Sequence, residues 1–210
     1  MEEVLPLMPP SMSYEVLDFG LHINPAELKT SLQKAIDAVP AGINNIILGY
    51  GLCSQAVVGL KSDRSTLIVP RVDDCIAIFL GSKEAYRREQ RTVPGTYYLT
   101  KGWLKTAGTP FDEFDRMVAK YGENAARRIM RRLLLNYTRL AFINTGTAGL
   151  EEFHARAAAI ARRFNLSYAE IPGENTLINK MMFGPRDDEI LVVQAGQTIA
   201  FHDFVRVPAL

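Results

Sequence analysis

Apolar and polar positions along this chain fall into two kinds of block. Five short runs, at 43–48, 66–69, 139–143, 166–171 and 190–193, are rich in apolar residues, and several are continuously apolar, as at 67–69, 140–143 and 190–193. Between them lie longer stretches whose apolar residues recur at a helical spacing. Leu28, Leu32, Ala35, Ile36 and Val39 form one such face, opened by Asn24 as N-cap and Pro25 at the first helical position and stopped by Pro40. Helical spacing also covers 76–80, 83–90, 111–121, 123–137, 150–164 and 174–183, with Gly122 as a break. Residues 14–19 predict a first strand, Pro94-Gly95 turns into a strand at 96–100, and 198–204 alternate and predict an antiparallel edge strand.

Apolar strands alternating with helices predict an α/β fold: a mainly parallel sheet with helices on both faces, Rossmann-like. A length of 210 residues suits one α/β domain, 1–210, with 101–122 as the seam if there are two α/β halves. That length also supports a full apolar core, so neither disulfides nor a metal are needed for folding alone. No apolar run approaches the roughly 20 residues of a membrane span. The acidic, proline-broken start does not resemble a signal peptide. The expected setting is cytoplasmic, where thiols stay reduced. A net charge of +1 supplies no long-range pull toward nucleic acid or an anionic membrane, so the expected partner is a small molecule or a metal, not nucleic acid or a membrane.

Ligands of open α/β sheets bind beyond the carboxyl ends of the strands. In this chain those positions hold most of the chemistry. His22 follows the first expected strand; Gly49, Gly51, Cys53 and Ser54 follow the second; Arg71, Asp73, Asp74 and Cys75 follow the third; Asn144 and Thr145 follow the strand ending at Ile143. A thiol opening a helix is expected to ionise more easily. Cys53 and Cys75 are therefore candidate metal ligands or a redox pair, with His22 or Asp74 completing a shell for zinc or iron. The alternative is that they are small buried hydrophobes. Arg71 can fork onto a carboxylate or phosphate, or simply pair with Asp74, and Asp73 can cap the following helix.

Tyr98 and Trp103 can wall a planar pocket, and Tyr97 and Tyr98 must face opposite sides of their strand. Gly49-x-Gly51 is too short for a dinucleotide fingerprint, because Ser54 and Gln55 occupy the region of the third glycine. Arg127, Arg128, Arg131 and Arg132 suit a solvated helix face, and His154 with Glu151 a surface pair.

Four motifs taken together resemble a known family. They are Leu21-His22-x-x-Pro25; Gly49-Tyr-Gly-Leu-Cys53; Ile68-Val-Pro-Arg71-x-x-Asp74-Cys75-Ile76; and Pro94-Gly95-Thr-Tyr-Tyr-Leu-Thr100-x-Gly-Trp103. They look like a prokaryotic domain of unknown function often encoded near corrinoid-dependent methyltransferases. The resemblance covers most of the chain and implies an α/β fold with Cys53 and Cys75 as family features. It also implies a strand ending in a further cysteine ahead of a short helix; residues 1–5 are similar to that helix, so either the start codon is placed late or this member lacks the strand and its thiol. Three functions follow as expectations. The first is a small-ligand or metal site at the Cys53–Cys75 edge, linked to corrinoid or methyl-group metabolism. The second is a non-catalytic accessory protein docking on a methyltransferase or corrinoid protein. The third is a nucleotide- or S-adenosylmethionine-dependent enzyme using Gly49 and Gly51.

Overall fold

The computed structural model describes residues 7–18, 20–21, 24–106 and 109–205. It is an α/β protein whose chain divides into two compact units. The first unit holds the chain up to Tyr86 and resumes at Glu174; the second holds Arg87–Gly173.

The first unit opens with α1 (Pro25–Ala38), capped as its sequence predicts: the Asn24 side chain accepts from the Glu27 amide and Pro25 takes the first turn. Leu28, Leu32 and Ile36, spaced four apart, are its buried face. Strands β1 (Asn45–Ile47) and β2 (Thr66–Pro70) then pair in parallel, Ile46 opposite Leu67. The late strand β6 (Ile190–Val193) pairs antiparallel on the other edge of β2, Ile68 opposite Val192. This first sheet is therefore mixed, in the order β1-β2-β6.

Strand pleating sends alternate β2 residues to opposite faces. Leu67 and Val69 join the α1 core with Val57, Leu60 and Val193. Ile68 joins Ile78, Leu177, Ile178 and Ile190 on the other side, where α2 (Ile76–Phe79) and α8 (Thr176–Phe183) pack. Both faces are covered, which is why β2 reads as one continuous apolar run.

The second unit holds β3 (Thr96–Leu99), β4 (Arg139–Asn144) and β5 (Ser167–Pro172), all parallel and in sequential order. Sequential parallel strands joined by right-handed crossovers place their helices on one face. Accordingly α5 (Pro110–Tyr121), α6 (Glu123–Leu133) and α7 (Glu151–Arg163) share one core with Leu140 and Phe142 of β4. Two further helices complete the set: α4 (Lys101–Thr106) follows β3, and α3 (Lys83–Thr92) crosses the division between the units.

Three expected features differ. Residues 14–18 form no strand, and Tyr14 and Val16 are exposed; Phe19 lies outside the described residues. Among the described residues, no neighbouring strand pairs with this segment. The expected edge strand at 198–204 reduces to a single antiparallel bridge between Thr198 and Lys61, followed by a 3-10 turn at Phe201–Asp203. The helix expected to reach Tyr137 ends at Leu133. Among the described residues, no helix is long and apolar enough to cross a membrane.

Candidate functional site

β1 and β2 are parallel neighbours, so their carboxyl ends deliver two loops side by side. Backbone hydrogen bonds join them: the Leu52 amide donates to Val72 O at 2.8 Å and the Cys53 amide to Asp73 O at 3.2 Å. Gly51 is buried at the contact. A Cβ built there would lie 2.9 Å from the Val72 carbonyl oxygen and 2.8 Å from Val72 Cγ2, so only glycine lets the loops meet. Gly49 differs, since a Cβ there would meet nothing within 4 Å.

The turn that follows is unusual. Cys53, Ser54 and Gln55 have φ of 45°, 54° and 70°, three successive non-glycine residues in the left-handed region. Each such residue costs on the order of 1–2 kcal/mol, and single occurrences are the rule. The turn is held at both ends. Before it stand the two inter-loop hydrogen bonds; after it, Ala56, Val57 and Leu60 are buried in the α1 core. Strain that surrounding structure over-determines is characteristic of ligand-binding and catalytic loops.

The left-handed turn sets Cys53 beside the second loop. Burial pushes the Cys53 thiol up from its ordinary value to about 11. The Gly51 and Cys75 amides, hydrogen-bonding to the sulfur, oppose the rise, and Asp74 adds to it. Burial also pushes the Cys75 thiol up, with Cys53 and then Asp74 adding to the effect. Tyr50 is raised by burial and by both cysteines. Asp74 is raised by burial, against hydrogen bonds from the Tyr86 hydroxyl and the Ile76 amide, each 2.7 Å long. Tyr50, Cys53, Asp74 and Cys75 thus form a cluster of acidic groups whose ionisation burial disfavours. No ion pair among the described residues supplies Asp74 with a cation.

Two expectations are corrected by this geometry. The thiols are not activated by a helix start: α2 has only four residues, and desolvation outweighs what so short a dipole offers. Asp73 does not cap α2: the N-cap position is Cys75, which makes no side-chain cap, the Ile76 amide donates to Asp74 Oδ1, and Asp73 pairs with Lys83 at 3.5 Å.

Arg71 is partly buried, and its Nε is buried without a hydrogen-bond partner. Its own amide donates to Glu189 O, and no ion pair joins it to Asp74. Ser54 is exposed within the left-handed turn. His22 lies outside the described residues. Tyr98, Trp103, Asn144 and Thr145 belong to the second unit, on β3, on α4, at the end of β4 and just beyond it. Tyr97 packs edge-on against Phe111 and Tyr137 in the helix-side core, which leaves Tyr98 on the opposite face of β3, as alternation predicts. Two residues not singled out from the sequence join this edge once the loops are brought together: Tyr50, whose pKa both cysteines raise, and Tyr86, which donates to Asp74. Among the described residues, no three His, Cys, Asp or Glu side chains are arranged to hold a metal ion.

Residues 16–182 match the model of a family described as protein of unknown function (DUF1638). The chain belongs to that family. Its match takes in both cysteine loops and all three strands of the second unit. Searches of the curated proteins and of the solved structures find no match.

Proposed function

We propose that this DUF1638 member is a cytoplasmic small-ligand-binding protein whose site is the Cys53–Cys75 edge of the first unit. The observation that carries the proposal is the left-handed turn at Cys53–Gln55, clamped between two loops at the carboxyl ends of parallel strands. A chain that only had to connect β1 to the buried Ala56–Leu60 segment would gain stability from a relaxed turn. The strain is accounted for if it places the Cys53 sulfur beside Cys75 for a ligand.

The cluster's chemistry narrows the ligand. Neutral thiols, a protonation-prone carboxyl and a phenol suit a partner that brings positive charge or a soft metal centre, since either would compensate the desolvated thiolates. A resident structural zinc, by contrast, needs four protein ligands. Two thiols better fit a metal that arrives with most of its ligands already attached. Resemblance to the corrinoid-associated family supports a place in corrinoid or methyl-group metabolism. Arg71, leaving the same strand end with its Nε unpartnered, suits an anionic group on that ligand.

The test is a thermal-shift panel of corrinoids, nucleotides, thiols, zinc and iron(II) on anaerobically purified protein, beside Cys53→Ser/Cys75→Ser. A raised melting midpoint with one compound, lost in the double variant, is the expected result. A panel without any shift, or a shift that survives the double substitution, would overturn the proposal.

A further inference from the structure

A second set of chemistry-bearing residues lies entirely within the second unit, over the carboxyl end of β4. An open cleft of about 620 Å³ is formed there by the loop between β4 and α7 and by the first turn of that helix, and His154 lines it. That volume lies within the range of small-molecule sites, and the carboxyl end of a central parallel strand is where α/β sheets bind ligands.

The histidine is held in place. Its ring lies against Phe142, centroids 4.6 Å apart, and its Nδ1 is 3.3 Å from Glu170 Oε2. The Tyr168 hydroxyl is also 3.3 Å from Nδ1. Glu170 is itself fixed, because its Oε1 accepts from Asn144 Nδ2 at 2.7 Å. Asn144 Oδ1 in turn accepts from the Gly146 amide at 2.9 Å, which joins the loop to the same network. A carboxylate on Nδ1 favours the tautomer protonated there and leaves Nε2 as the acceptor for anything in the cleft.

The loop offers a donor at Thr147. The hydroxyl oxygens of Thr145 and Thr147 are buried, and neither has a hydrogen-bond partner. Buried orphan hydroxyls are costly and rare, so two of them in one short loop call for an occupant. Thr147 lines the cleft where α7, thirteen residues long, begins. An oxyanion suits that end of the helix dipole. Glu151 also lines the cleft and bears the opposite sign of charge from the Lys101 ammonium, which is bound to the loop through Ala148 O at 2.7 Å. A purely anionic ligand would be repelled by Glu151, whereas one carrying a hydroxyl can donate to it or to His154.

We propose that this cleft binds a small hydroxyl-bearing oxyanion, with the Thr147 hydroxyl on an anionic oxygen, His154 Nε2 accepting from the ligand hydroxyl, and Glu170 as positioning residue. The oxyanion is a carboxylate or a phosphate ester, and the test has one arm for each.

Backbone amide and histidine-ring NMR spectra of the full chain would be recorded while titrating glycolate and, separately, glycerol 3-phosphate. Saturable shifts confined to 144–154 with at least one probe are expected, and the responding probe identifies the oxyanion. Thr147→Val and His154→Gln should each weaken that binding about tenfold or more. Glu170→Gln should weaken it and also move the His154 ring nitrogens away from the Nδ1-protonated pattern, a signature that a merely structural residue would not alter. If Thr147→Val does not fold, His154→Gln alone decides. Absence of saturable shifts with both probes, or binding unchanged in the folded variants, would overturn the proposal.

Discussion

The Tyr86 hydroxyl donates to Asp74 Oδ2 at 2.7 Å and fixes the carboxyl that stands between the two cysteine loops and α2. The other oxygen of Asp74 takes the Ile76 amide at the same distance. Both hydrogen bonds favour ionised Asp74, yet burial still raises its pKa. Removing the phenol hydroxyl removes the larger of the two opposing effects. Tyr86→Phe should therefore raise the Asp74 pKa further and cost about 1–2 kcal/mol of stability at neutral pH. Urea unfolding gives the stability, and the carboxyl carbon shift of Asp74 across an acid titration gives the pKa. An unchanged titration would show that the hydroxyl does not govern this carboxyl.

The raised thiols predict how stability responds to alkali. A group whose folded pKa lies above its unfolded value holds its proton longer in the native state, so native protein binds more protons between the two values. Stability from Cys53 is then complete below the ordinary thiol value of 9.0 and is lost as pH rises toward about 11. The gap corresponds to on the order of 3 kcal/mol. Cys75 acts in the same direction. Unfolding free energies under reducing conditions should fall across this window, and Cys53→Ser should flatten the fall. A flat wild-type profile would mean that the thiols are not desolvated.

Much of this fold is legible along the chain because local signals and tertiary packing agree. β2 and β4 are apolar on both faces, and α1 carries its cap and its stripe of Leu28, Leu32 and Ile36. Residues 14–18 mislead because an apolar-rich segment becomes a strand only where a partner strand exists. The cysteine loops could be found from the strand-end rule. The sign of their pKa shifts could not, since it depends on how deeply Asp74, Tyr50 and the loops bury one another. His154 was hidden for a related reason. Its neighbour Glu151 is close in sequence, but its contacts in the fold are Glu170 and Tyr168 of β5 and Phe142 of β4.

Proton-holding thiols should also react slowly. The thiolate is the nucleophile, and a rise from 9.0 to about 11 lowers its fraction at neutral pH about a hundredfold. Cys53 should be alkylated by iodoacetamide at about a hundredth of the rate of a free thiol, and Cys75 more slowly still. Urea should abolish the difference. Peptide mass spectrometry over a time course resolves the two sites, and rapid native-state labelling of Cys53 would contradict the burial.

The two glycines of the Gly49-x-Gly51 segment should behave oppositely. Gly51→Ala drives a methyl against the Val72 carbonyl and should cost about 1–3 kcal/mol as an overpacked contact. Gly49→Ala meets open space and should be close to neutral. Thermal unfolding of the two variants measures the contrast. Equal effects would mean that the loops do not approach as closely as the geometry at Val72 requires.

Strain in the Cys53–Gln55 turn gives the sharpest test of what the turn is for. Ser54 has φ 54° and ψ 36°, a left-handed conformation that costs an L-residue on the order of 1–2 kcal/mol and costs glycine little. Ser54 is exposed, so its substitution removes no buried contact. Ser54→Gly relieves the steric cost but makes the unfolded chain freer by about 0.5–1 kcal/mol, leaving a net gain of up to about 1 kcal/mol. The same change loosens the segment that sets the Cys53 sulfur beside Cys75. A strained turn that serves binding should therefore become more stable by urea unfolding while the ligand-induced thermal shift shrinks. A gain in stability with the thermal shift intact would mark the strain as unrelated to the site.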